Sequence, residues 1–319
     1  MPLLSKPVRG RLISLAATVS SIGLLAGCSG GGDGGDAASA PTTGNAVTVP
    51  VSAVGTELLD PGAEPRDVLR PAPTAGATQT AQLTTSATVF QQIDDQTAQD
   101  FSTPELTLPL DATVDRADAD GTEVDLTIGE PTSPDPTLDG AVQASAGSGA
   151  GLTFAPNGSI TALRLSPTDS SQDIARSAIE QAFYQAVYRT IAFPTEPIGV
   201  GARWAVRQEV MSGIALDQVT TVTLTGRDGD GVTLDFTVEQ TPQSSVWALP
   251  GDAGDLTVDQ YVMQGTGTAR IDLAQALPTS LTVSIGGEQA YSDPDGTTHL
   301  RQTTDNKVAL EARPDREGQ

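Results

Sequence analysis

The chain has 319 residues, of which 4% are aromatic and 18% charged, and its formal charge at pH 7 is −23. Affinity for nucleic acid rests on Lys and Arg neutralising phosphate, so a chain this acidic, with no basic stripe beyond its first eleven residues, falls outside that class. A single histidine and a single cysteine leave too few ligands for a zinc centre and no internal disulfide.

Taken in chain order, Lys6, Arg9 and Arg11 form a positive start, and Leu12 to Leu24 an apolar run too short to span a bilayer. Leu25-Ala26-Gly27-Cys28 follows directly and matches a lipobox. Residues 1–27 are therefore expected to be a lipoprotein signal peptide, removed after Gly27, leaving Cys28 acylated at the new N-terminus. Acyl chains contribute about 0.8 kcal/mol per buried methylene, so two or three hold a protein firmly on a membrane. The expected location is the extracytoplasmic side of the cell membrane, lipid-anchored. Glycine and aspartate dominate Ser29 to Thr43, and residues 28–55 read as a lipidated flexible tether.

Residues 56–312 read as a duplicated β-rich domain, with halves at about 56–167 and 195–312. Residues 112–128 (ATVDRADADGTEVDLTI) and 222–238 (VTLTGRDGDGVTLDFTV) share six identities at an offset of 110. Upstream, Pro73 to Ala77 parallels Pro197 to Ala202. Each copy holds a hairpin: Val124, Leu126 and Ile128 alternate with polar residues, as do Val232, Leu234, Phe236 and Val238. Asp120-Gly121 and Asp230-Gly231 supply the positive φ of tight turns. Further strands are expected at 203–210, 281–285 and 299–310, and 131–147 and 242–256 read as insertions.

Between the halves, residues 169–192 predict one long helix. Asp169 and Gln172 suggest a capping box, and Pro194 a stop. Ile174, Ala178, Ala182 and Ala186 form one apolar row; Ala175, Ile179, Phe183, Val187 and Ile191 form the next. Asp173, Arg176, Ser177, Glu180, Gln181 and Arg189 are expected to face away. Residues 313–319 read as a disordered tail. The fold class expected is α+β, mostly antiparallel β, with two similar β-rich halves joined by one long amphipathic helix.

No catalytic, metal or cofactor site is expected. With Gly121 or Gly231 at position 6 of a calcium loop, positions 1 and 12 are not acidic, so Asp118, Asp120, Asp228 and Asp230 read as turn residues. His299 has no G-x-S-x-G partner and reads as a solvated strand residue. Asn157-Gly158-Ser159 reads as a turn.

Pro197-Ile198-Gly199-Val200-Gly201-Ala202-Arg203-Trp204, the leader, and the stretch from Phe154 to Ile160 resemble a group of uncharacterised actinobacterial lipoproteins, over about residues 60–310. The resemblance implies a duplicated β-rich domain in the envelope and no particular activity. At the level of fold alone, a curved sheet with helix cover is similar to envelope carriers of lipids and lipoproteins. The expected function is non-catalytic: a membrane-anchored envelope lipoprotein binding a lipid or other apolar ligand between sheet and helix. The alternative is an envelope protein-interaction or structural module with no small-molecule ligand. An apolar cavity above about 300 Å³ separates the first from the second. Cells fed radioactive palmitate should label the full chain, and Cys28→Ala should abolish the label and release the protein from membranes; label on the variant would refute the anchor.

Overall fold

Alternation of apolar and polar side chains runs through most of the chain, and the strands follow it. The computed structural model describes residues 46–249 and 254–313; the leader, Cys28, the tether to residue 45 and the tail from 314 lie outside the described residues. The first strands are β1 (Val47–Pro50), β2 (Val54–Asp60), β3 (Thr78–Ile93), the two-residue β4 (Gln99–Asp100), β5 (Thr103–Asp118) and β6 (Gly121–Ile128). Helix α1 (Pro136–Gln143), β7 (Gly149–Phe154), β8 (Ile160–Ser166) and helix α2 (Asp173–Val187) come next. The remainder is β9 (Arg203–Ser212), β10 (Ile214–Asp228), β11 (Gly231–Pro242), β12 (Val246–Ala248), β13 (Asp255–Tyr261), β14 (Met263–Asp272), β15 (Ser280–Ser292) and β16 (His299–Ala312).

All sixteen strands belong to one sheet, whose main path is β1-β8-β7-β6-β5-β3-β16-β15-β14-β11-β10-β9-β2. Every pairing is antiparallel. The two ends of the path, β1 and β2, are consecutive in the chain and separated only by Val51 to Ala53. Three residues bridge at most about 14 Å, so the two edges of the sheet are held side by side. The backbone crosses between them in steps. Val51 N–H still donates to Thr161 O of the β8 side (3.0 Å), and Ser52 O accepts from Gln208 Nε2 of β9 (3.2 Å). From Val54 onward the pairing is wholly with β9. Residues 47–60 thus act as one strand that leaves β8 for β9 and closes the sheet into a ring.

The inward face of that ring carries a large apolar core, to which α1 and α2 add Leu138, Val142, Ala175, Ile179, Phe183 and Val187. The two long hairpins are built alike. β5–β6 turns at Asp118 to Gly121 with a register shift between Val114 and Arg116; β10–β11 turns at Asp228 to Gly231 with a shift between Leu224 and Gly226. Val114 accepts from Gly76 N–H and donates to Ala77 O, while Leu224 accepts from Gly201 N–H and donates to Ala202 O. Gly76 and Gly201 both take positive φ, 81° and 88°, which any side chain would resist.

The α+β expectation is overturned. The described residues hold two short helices, of eight and fifteen residues, and the halves are not separate bodies joined by a helix, because β3 of the first pairs along its length with β16 of the second. Of the apolar rows from 174 to 191, only the row Ala175, Ile179, Phe183, Val187 and Ile191 is buried throughout, and the rows overstate the helix. Its N-cap is Gln172, with no side-chain bond, rather than Asp169, and Ile174 is 54% exposed. Beyond Val187 the backbone finds tertiary partners: Tyr188 O accepts from Gln218 Nε2, Ala192 O from Trp204 Nε1, and Phe193 N–H donates to Asn157 O. Two smaller corrections follow. Residues 47–55, read as tether, belong to the closing strand, and the 131–147 insertion contains α1, capped by Asp135 Oδ1 over Thr137 and Leu138 N–H.

Gly267 on β14 lies under the Phe236 ring; a Cβ there would sit 2.3 Å from a ring carbon and 2.7 Å from Thr282 O. Overpacking of this kind costs about 1–3 kcal/mol. Gly267→Ala should lower the urea midpoint accordingly, whereas Thr268→Val, one residue on and exposed, should leave it within about 0.5 kcal/mol.

Candidate functional site

Within the ring, not every inward position is apolar. Along β10 the inward residues run Ile214, Leu216, Gln218, Thr220, Val222, Leu224, and along β16 Leu300, Gln302, Thr304 give way to Val308 and Leu310. The register aligns these interruptions across strands. Gln208 faces Gln218, which faces Gln240; Gln289 faces Gln302, which faces Gln91. Gln218, Gln289, Gln91 and Gln240 are between 3% and 7% exposed. Buried amides must find partners, and these find one another. Gln240 Nε2 donates to Gln218 Oε1 (2.9 Å), Gln91 Nε2 to Gln302 Oε1 (2.8 Å), and Gln302 Nε2 to Thr304 Oγ1 (2.9 Å).

This polar layer divides the interior. On one side is the main core with the helices. On the other, Ile214, Leu216, Trp247 and Tyr291 form a separate cluster under the β12–β13 arm, with Trp247 and Tyr291 ring centroids 5.1 Å apart. Burial pushes the Tyr261 phenol up to about 12 and raises Tyr291 further, with Tyr261 adding to the latter. Both therefore stay protonated throughout the neutral range.

Arg189 enters the layer from the segment after α2. Its Nη1 donates to Gln218 Oε1 at 2.6 Å, a neutral acceptor, and Gln218 Nε2 in turn holds Tyr188 O. Burial alone pushes the guanidinium down to about 10, so it remains a cation at neutral pH. The side chain is partly accessible and lines a small, partly open cavity. That cavity has a volume of about 50 Å³ and its other walls are mainly apolar, among them Pro71, Phe154, Ile191, Ile271 and Leu281. Segments beside it are pinned by hydrogen bonds. Ala72 N–H donates to Leu273 O (2.7 Å), and the Gln79 amide bonds both N–H and C=O of Leu277 (3.0 Å each).

A second concavity, open and about 580 Å³, lies on the outer surface of β10, β11, β14 and β15, lined by Arg203, Thr223, Asp235, Thr237, Thr266 and Thr282 among others. These are alternate solvent-facing strand positions, where threonine suits the pleat without any ligand.

The residues weighed for chemistry are not gathered at either place. His299 is exposed at the start of β16, its N–H bonded to Asp94 Oδ1. Asp118 Oδ1 accepts from Asp120 N–H within the hairpin turn, and Asn157 Oδ1 from Ser159 N–H. Among the described residues no group of three or more His, Cys, Asp or Glu could hold a metal, and no helix is long and apolar enough to cross a membrane. Leu25, Ala26, Gly27 and Cys28 lie outside the described residues. Arg189 and the glutamines were missed by the sequence reading. The available signal was polar residues in phase with the apolar ones, as in Leu216, Gln218, Thr220 and Val222.

Gln218 is the joint of the layer, serving Arg189, Gln240 and Tyr188 O at once. Each buried group left unpaired costs about 1–3 kcal/mol. Gln218→Leu should therefore destabilise by about 3 kcal/mol or more in urea unfolding, and Arg189→Met in the same chain should recover part of the loss. No protein-family model matches the chain, and no curated protein matches it.

Proposed function

We propose that this is a non-catalytic lipoprotein of the cell envelope, anchored through acyl groups on Cys28, whose barrel is an interaction or structural module rather than a preloaded lipid carrier. The observation that carries this choice is the filled interior. Sites for molecules of drug size or larger run upward from about 300 Å³, against about 50 Å³ here. The helix face that seemed available to a lipid is taken up in packing, with Ala175, Ile179, Ala182, Phe183 and Val187 all buried in the main core. The anchor reading rests on the order of charged start, apolar run and Leu-Ala-Gly-Cys in residues 6–28. Matching bulges 110 residues apart, and matching glycine contacts to Val114 and Leu224, support an origin by duplication.

A second reading, binding of an amphiphile, is favoured by one thing: a buried cation at the inner end of an apolar-walled cavity. Native mass spectrometry of the Cys28-acylated chain solubilised from the cell envelope, with organic-solvent extraction, separates the two. The module reading expects no co-purifying lipid, together with a cross-linked adduct of one defined mass in cells. A stoichiometric lipid in the extract would overturn it in favour of the carrier.

A further inference from the structure

Among the described residues Arg66, Arg116, Arg164, Arg207 and Arg227 each have a carboxylate within 4 Å at the surface. Of the arginines without one, Arg70, Arg203, Arg270, Arg301 and Arg313 are exposed, whereas Arg176 and Arg189 are only partly so. Arg189 also lines the small cavity, and its only bonded partner among the described residues is the Gln218 amide. Neither Nε nor Nη2 is among the buried side-chain atoms left without a partner, so these donors border open space, and Arg189 is one of the residues lining the cavity. An uncompensated charge in such surroundings is strongly destabilising unless something neutralises it.

We infer that the inner end of this cavity is a receptor for a small anion, a carboxylate or halide no larger than acetate, held by the guanidinium of Arg189. The volume sets the size. A water needs at least about 10–15 Å³ of such space, so the cavity holds roughly four waters, or one anion with two to three carbon and oxygen atoms beside it. The planar fork of a guanidinium suits the two oxygens of a carboxylate, and Gln218 fixes its orientation through Nη1 while leaving the other edge free. The apolar remainder of the wall, with Phe154, Ile191, Ile271 and Leu281, offers nothing to a polyhydroxylated or multiply charged ligand. The inference goes beyond the proposed function and holds for either reading of it.

The test uses the full chain carrying Cys28→Ala, in sodium gluconate, whose anion is too large for the cavity. Gluconate is replaced stepwise by formate, acetate or chloride at constant ionic strength, and thermal unfolding is followed by circular dichroism. The expected result is a saturable rise in Tm of several degrees with at least one small anion, absent in Arg189→Met and partly kept in Arg189→Lys. Equal rises in the parent and Arg189→Met, or no rise with any anion, would overturn the site. Should Arg189→Met fail to fold, the parent alone decides: chloride-35 line broadening that formate reverses supports the site, and broadening that is absent or unaffected by formate refutes it. Decanoate separates the sources. Competition by formate and acetate alone is expected for a free small anion, and competition by decanoate as strong as by acetate would overturn the size limit and point to an amphiphile's carboxylate.

Discussion

A sheet of antiparallel strands is relieved of exposed edges only when its last strand meets its first. Here that meeting depends on fourteen residues, 47–60, which pair first with β8 and then with β9. Everything else follows from the closure. A closed ring has a true inside, so strands from both ends of the chain share one apolar core. Helix α2 is drawn against that core rather than laid over a flat sheet. The P-x-G-V-G-A-x-W segment belongs to the same seam: Gly199 is so close to Ala63 O that a Cβ would sit 1.8 Å away, and Trp204 is fully buried with its Nε1 on Ala192 O.

Inside the ring, the polar layer is the feature that costs most to build. Replacing its glutamines by leucines would give a deeper uniform core, and a ring without them would not need to enclose Arg189. The layer is satisfied by register: because Gln218 and Gln240, and likewise Gln302 and Gln91, stand directly opposite, each amide reaches its neighbour without distortion. A slip of one residue in either pairing would turn side chains of the layer outward, and a slip of β10 would leave Arg189 with no acceptor.

Much of the strand content was legible in the chain, because alternation is a local signal. Both hairpins and the strand at Leu281 to Ile285 follow from it, and the middle of α2 from a period of 3.6; in the second turn, however, the positive φ falls at Gly229 and not at Gly231. Partnership was not legible. Nothing local in Thr78 to Ile93 says that it pairs with His299 to Ala312, more than two hundred residues away, so two similar halves looked like two bodies. The closing strand was hidden for another reason: Val47 to Ala53 has the composition of a linker, and only β8 and β9 make it a strand. At the candidate site, period two identifies a face but not a depth, so Gln218 and Gln302 looked like ordinary strand residues. Arg189 was assigned to the outer face because the helix was carried past Val187; once the chain leaves helical geometry there, that assignment no longer applies.

The stratified interior also divides the molecule's cooperativity. Ile214, Leu216, Trp247 and Tyr291 form a cluster apart from the main core, linked to it through the partly buried Tyr261, and the β12–β13 arm pairs along β13 with β15 through four residue pairs. Local opening follows such boundaries. Amide hydrogens of the arm should exchange with solvent through a fluctuation that leaves the rest of the ring shut, making that end of the protein a breathing element on an otherwise stiff frame.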